Sequence, residues 1–149
     1  MTGLAVAVSS EGVRAPIAAA RLVRVAQLVL RAEKVTDAMI SVALVGNARM
    51  ATINRTHLRH AGPTDVISFG FDRRAAGPVI GDIYIAPMVA RANAKRAGVG
   101  VREEIVRLVV HGVLHVLGYD HPTDGARERS VMWKRQEALV RRAMRAVAS

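Results

Sequence analysis

The chain contains five histidines, and three of them, His111, His115 and His121, share one short segment, HGVLHVLGYDH (111–121). Their spacing is H-x3-H-x5-H. Residues four apart on a helix lie on one face, about one turn from each other, so His111 and His115 can present imidazole nitrogens to a single ion. Gly118 follows His115 by three positions. Glycine readily takes the left-handed conformation that ends a helix, and a turn there would swing His121 back toward the same ion. Three imidazoles suit zinc, with a fourth position left for water or substrate. Nickel, copper or iron would accept the same ligands. A metal in such a site polarises a phosphoryl or carbonyl oxygen, or lowers the pKa of bound water to about 7, so the constellation points to hydrolysis. His57 and His60 read as surface residues.

The elements that must position these histidines can be read from pattern. Residues 3–8 (GLAVAV) read as a strand. Residues 16–33 read as a helix, with Pro16 in its first turn and Ile17, Ala20, Val23, Leu28 and Leu30 near one broad face. MISVALV (39–45) reads as a buried strand. Asn47 is positioned to cap a helix running to about residue 58, which Ala61, Gly62 and Pro63 break. Residues 65–69 (DVISF) alternate and are rich in β-branched and aromatic types, so they read as a strand. A turn over 72–78 leads to a strand at 79–85. A helix opens at Pro87 and stops at Gly98. The histidine helix spans 101–117, and a last helix spans 124–147 with Thr123 as its cap. The order β-α-β-α-β-β-α-α-α predicts one compact α/β (α+β) domain. A small mixed four-stranded sheet is packed with about five helices, and the metal site lies at the end of a central helix.

Composition bounds what this domain can be. With 149 residues and about half of them apolar, one core forms without staples. There is no cysteine, so disulfides and thiolate ligands are excluded, in keeping with a cytoplasmic setting. No basic leader precedes an apolar run, and no stretch reaches the roughly 18–20 apolar residues a membrane span needs. The formal charge is +10, from 22 basic and 12 acidic residues. That balance favours a polyanionic partner, nucleic acid above all. Two Phe, two Tyr and one Trp are too few for a broad base-stacking platform.

The histidine segment matches the metzincin protease pattern H-E-x-x-H-x-x-G-x-x-H except at Gly112, which replaces the glutamate general base. A peptidase is disfavoured on that ground. With glycine there, the segment resembles the YbeY family of endoribonucleases of bacterial ribosomal RNA maturation, whose pattern H-G-x-L-H-L-x-G-Y-D-H it leaves only at Val116. NRTHLRHAGPTDVISF (54–69) is similar to that family's N-R-x-Y-R-x-x-x-x-P-T-D-V-L-S-F, with Ile67 in place of leucine. IGDIYIAP (80–87) is similar to L-G-D-I-x-I-S. Met132 and Gln136 fall where the family often has M-x-x-x-Q.

The resemblance implies a single-domain α/β fold, a three-histidine zinc site, and cleavage of single-stranded RNA in rRNA processing or on ribosomal particles, with no DNA substrate. It implies that Arg59 acts in the active cleft, where a guanidinium suits phosphate better than an ammonium does. His115 is then both ligand and catalytic residue. Asp65, Asp82 and Asp120 are the carboxylates that could orient a histidine or bind substrate. The polar face of the last helix, with Arg127, Arg129, Lys134, Arg135, Arg141, Arg142 and Arg145, could follow RNA phosphates. Two alternatives remain: a protease-like zinc hydrolase without the usual base, and a non-catalytic ribosome-associated zinc protein in which a fourth ligand such as Asp120 closes the site.

Overall fold

A computed structural model describes residues 3–58, 62, 64–71, 77–120 and 130–148. Four strands form one sheet: β1 (Leu4–Glu11), β2 (Ala38–Val45), β3 (Val66–Gly70) and β4 (Val79–Ile85). Their spatial order is β1-β2-β4-β3. β1 and β4 both run parallel to β2, and β3 runs antiparallel to β4. The sheet is therefore mixed, as the expected fold class has it. Among the described residues five α-helices accompany it: α1 (Ala19–Ala32), α2 (Asn47–Ile53), α3 (Pro87–Ala97), α4 (Val101–Val116) and α5 (Val131–Val147). A short π-helical turn, Asn54–Leu58, extends α2.

The main core joins β1, β2 and β4 to α1, α4 and α5. A smaller cluster on the opposite sheet face packs Met50 and Ile53 of α2 on Val45, Ile67 and Ala86. α4 is central: it touches α1, α3, α5, β3 and β4, and most of its residues between Glu104 and Leu114 are buried.

Several local expectations are corrected. α1 begins at Ala19, because Ala18 is still extended, so Pro16 lies before the helix. Its buried face is Leu22, Val25, Ala26, Val29 and Leu30, the i, i+3, i+4, i+7, i+8 stripe; Ala20 is exposed and Val23 and Leu28 are half-buried. Gly46, not Asn47, precedes α2 as its extended cap residue, and Asn47 is already helical. α5 begins at Val131: Ser130 is extended, and its hydroxyl accepts from Trp133 N at 3.1 Å, which is N-cap geometry. The proposed cap at Thr123 and helical start at 124 lie outside the described residues, as does most of the turn at 72–78. β1 also runs on to Glu11, because its pairing with β2 continues to Glu11 opposite Val45.

Candidate metal centre

α4 ends in a Schellman arrangement. Gly118 N donates to His115 O at 2.9 Å and Tyr119 N donates to Leu114 O at 3.0 Å, with Gly118 at φ +101°. This satisfies carbonyls that the helix leaves open and turns the chain just after His115, as the glycine spacing predicts. The turn is then fastened. Tyr119 Oη donates to the Glu33 carboxylate at the end of α1, and Arg135 of α5 holds the same carboxylate through Nε at 2.8 Å. The Glu33 bond comes first among the causes that raise the Tyr119 phenol above its ordinary pKa, with burial second.

His111 and His115 lie side by side on the outer part of α4, half-buried, with ring centroids 4.5 Å apart and planes at 77°. That separation suits two imidazoles serving one ion at Zn–N distances of about 2.0–2.1 Å. His111 Nδ1 lies 2.7 Å from Gln136 Oε1. An amide oxygen can only accept, so this contact calls for a proton on Nδ1, and in the neutral ring that leaves the lone pair on Nε2. A histidine with one nitrogen committed to an acceptor and the other able to bind metal is the usual state of a zinc ligand, so the residues present fit the ion. His121 lies outside the described residues, and among the described residues no group of three His, Asp or Glu side chains converges as a cage.

Close approach of α4 to the sheet sets where these histidines stand. A Cβ on Gly112 would lie 2.8 Å from Ile83 Cγ2, and one on Gly81 would lie 2.6 Å from both Cγ atoms of Val116. Gly70, paired with Gly81 across β3 and β4, meets the Val116 backbone in the same way. The position that would carry a protease's glutamate thus faces the packed sheet.

A cavity of about 780 Å³ opens beside His111 and Gln136, lined also by Asp65, Asn93, Arg107 and Trp133. Arg107 organises its floor. It bonds Glu103 at 3.1 Å, Glu104 at 3.0 Å and Glu137 at 2.9 Å, and these partners raise the guanidinium pKa against the opposing effect of burial. The two inner carboxylates move in opposite directions. Burial, reinforced by Asp65 and Glu137, raises Glu104 despite its bond to Arg107. Burial also works to raise Glu137, but bonds from Arg107 and Gln136 and the charge of Arg141 bring it below the usual carboxylate value.

The other expected site residues divide. Asp65 lies on this cavity, where its Oδ2 accepts from Asn93 Nδ2 at 3.2 Å. Asp82 is not brought to His111 or His115. It alternates away from Gly81 and Ile83, on the sheet face opposite α4, and accepts from Ser41 Oγ at 2.7 Å. Asp120 is exposed, just beyond the Gly118 turn. Arg59 and His60 lie outside the described residues; nearby, Asn54 Nδ2 donates to Gly62 O at 2.9 Å. His57 is exposed, with its ring edge on Phe69. On α5, Lys134, Arg141, Arg142 and Arg145 are exposed, whereas Arg135 is taken up by Glu33. Gln136 had no assigned role from sequence beyond its spacing from Met132. Its signal was a lone amide on the apolar stripe of an amphipathic helix.

A family model described as Endoribonuclease YbeY matches residues 9–144. The chain is 41% identical over 110 residues to the endoribonuclease YbeY of Thermobifida fusca, covering 68% of this chain and 71% of that one. It is 38% identical over 149 residues to that of Frankia alni, covering 92% and 81%, and 34% identical over 138 residues to that of Geobacter sulfurreducens, covering 90% and 92%. The solution structure of TM1509 from Thermotoga maritima superposes with a TM-score of 0.64 at 23% identity, over 95% of this chain and 90% of that one, which supports the fold.

Proposed function

The chain belongs to the YbeY endoribonuclease family and is an RNA-cleaving hydrolase, and from that premise we propose that it cuts single-stranded RNA at a zinc centre formed by His111, His115 and His121. We further propose that its work is ribosomal RNA maturation, including the 3′ end of 16S rRNA, and ribosome quality control, carried out on ribosomal particles in the cytoplasm. No helix among the described residues is long and apolar enough to cross a membrane.

The observation that carries the metal reading is the His111–His115 pair at the end of α4, with His111 Nδ1 committed to Gln136. A zinc ion held there supplies Lewis acidity toward a phosphoryl oxygen or water. The protein's own groups do the rest. α4 and the fastened Gly118–Tyr119 turn fix the ligands relative to the sheet. Arg59 is proposed to meet the negative charge that grows on phosphorus. The exposed cations of α5 are proposed to gather RNA by its phosphates without regard to sequence. Asp65, on the histidine-side cavity, remains a candidate for orienting groups there. Asp82 lies across the sheet from His111 and His115. The peptidase alternative loses further ground, since a glutamate at position 112 would have to enter the space filled by Ile83.

The test joins metal analysis to cleavage of single- and double-stranded RNA. Wild type is expected to hold about one zinc per chain and to cut the single strand. His115→Ala is expected to lose both properties. Wild-type cutting by an equally pure His115→Ala preparation, or full activity from zinc-free wild type, overturns the reading.

A further inference from the structure

Gln136 interrupts the buried stripe of α5, among Met132, Leu139, Val140 and Ala143, and is only 3% exposed. A buried amide needs partners at both ends, and here each partner is polar in a defined sense. Oε1 meets His111 Nδ1 at 2.7 Å, and Nε2 donates to Glu137 Oε2 at 3.0 Å. An ionised carboxylate only accepts, so Glu137 must take the NH2 end, which turns the carbonyl toward the imidazole. Glu137 is itself clamped in a two-pronged pair with Arg107, whose Nε reaches Oε2 at 2.9 Å and whose Nη2 reaches Oε1 at 3.0 Å. Such pairs fix geometry as well as charge. The same guanidinium bonds Glu103 and Glu104, so it is anchored to α4 as well as to α5. The depressed carboxyl pKa of Glu137 agrees with a group that stays ionised at neutral pH.

We propose that Arg107, Glu137 and Gln136 form a positioning line that locks His111 in its Nδ1–H tautomer, so that His111 meets metal through Nε2, and that this line sets the site's metal affinity. The metal half of this inference rests on the zinc reading above. Glu137 does not touch the histidine. Its influence passes through the Gln136 amide and must therefore disappear when that amide is gone. That dependence separates a relay from a merely structural contribution.

The experiment uses the full chain in four forms: wild type, Gln136→Met, Glu137→Gln and the double variant. Zinc affinity is read by chelator competition. The His111 tautomer is read in metal-free, nitrogen-labelled protein from the imidazole nitrogen shifts. Gln136→Met is expected to weaken zinc binding about 10–100-fold and to move His111 toward the Nε2–H tautomer. Glu137→Gln is expected to weaken binding less, and to add nothing once Gln136 is methionine. Three results overturn the proposal: an Nε2–H tautomer in metal-free wild type, unchanged zinc affinity in folded Gln136→Met, or losses that add in full in the double variant. If wild type binds no zinc, the metal reading falls, while the tautomer shifts still decide whether the line acts on His111.

Discussion

Replacing Gly112 by alanine puts a methyl group where Ile83 already stands. The added Cβ would lie 2.8 Å from Ile83 Cγ2, 3.0 Å from Cδ1 and 3.2 Å from Cγ1, against the roughly 3.5–4.0 Å at which carbon atoms rest in contact. Ile83 cannot swing aside easily. It is β-branched, stiff at χ1 and fully buried, on a strand paired on both sides. Overpacking of this kind costs about 1–3 kcal/mol. Alanine's better helix propensity offsets about 1 kcal/mol. The net loss is then up to about 2 kcal/mol, or a fall in Tm of up to about 8 °C for a chain of this size. Denaturant unfolding measures it. Ile83→Ala alone is expected to lose about 2–5 kcal/mol, but the double variant should lose about 1–3 kcal/mol less than the sum, because removing the isoleucine side chain makes room for the new methyl group. Where the helix instead lifts from the sheet, His111 and His115 move with it and zinc affinity drops. Gly112→Ala with stability at or above wild type, and additive with Ile83→Ala, would refute the tight seat. By the same contact, Gly112→Glu is expected to gain no peptidase activity and to unfold more readily still, since it buries a carboxylate beside Ile83.

Arg107→Met is expected to destabilise the protein by about 1–3 kcal/mol near neutral pH, a buried-pair loss discounted for partial solvent access, as measured by urea unfolding. Its deficit should shrink on acidification, as the carboxylates it abandons protonate. In wild type, Glu137 has a lowered pKa, so its contribution is complete above the usual carboxylate range and is lost as pH falls through the lowered value. Glu104, with a raised pKa, works in the opposite sense, and its native state gains as pH falls through the raised value. Tyr119→Phe removes the bond to Glu33 and is expected to lose about 1 kcal/mol and to weaken zinc binding, because it loosens the turn that leads to His121. The raised phenol pKa means that Tyr119's stabilisation is complete below about pH 10 and is lost as pH rises through the raised value; the phenylalanine variant should lack that alkaline dependence in thermal melts. Ser130→Ala removes the cap of α5 and is expected to lose about 1 kcal/mol in the same measurement.

What was legible in the sequence was whatever depends on local chemistry. The strand at 79–85 and the helix at 87–97 are bounded by Pro87 and Gly98, residues whose backbone preferences act without help from the rest of the fold. The Gly118 turn belongs to the same class. Less legible was anything decided by a distant partner. The buried face of α1 depends on which stripe meets β1 and α4, and several rotations of an alanine-rich helix look alike in sequence. Asp82 reads as an isolated acid in an apolar strand, and only the register that sets it opposite Ser41 on β2 shows where it goes. Arg107, Glu103 and Glu104 read as ordinary helix-surface charges at i, i+3 and i+4 spacing. Their pairing with Glu137 arises only when α4 meets α5.

Three glycines at the contact between α4 and the sheet explain why that helix sits so close to the strands. Gly70 and Gly81 face each other across β3 and β4 and receive Val116, while Gly112 receives Ile83. Each gives up side-chain packing, and Gly112 also weakens the helix intrinsically by about 1 kcal/mol relative to alanine. Their combined effect is to bring the last turns of α4 down onto the strands, with His111 and His115 on its outer side. A site built on a seated helix rather than a loop inherits the rigidity of the core beneath it, which is what metal ligands held in one geometry require. It follows that losses in zinc affinity at Gln136 and Tyr119, which touch the ligand or its turn rather than the seat of the helix, should not track the changes in stability. Losses at the glycines should instead scale with how far the helix is displaced, and the two classes can be separated by plotting affinity against unfolding free energy across the variants above.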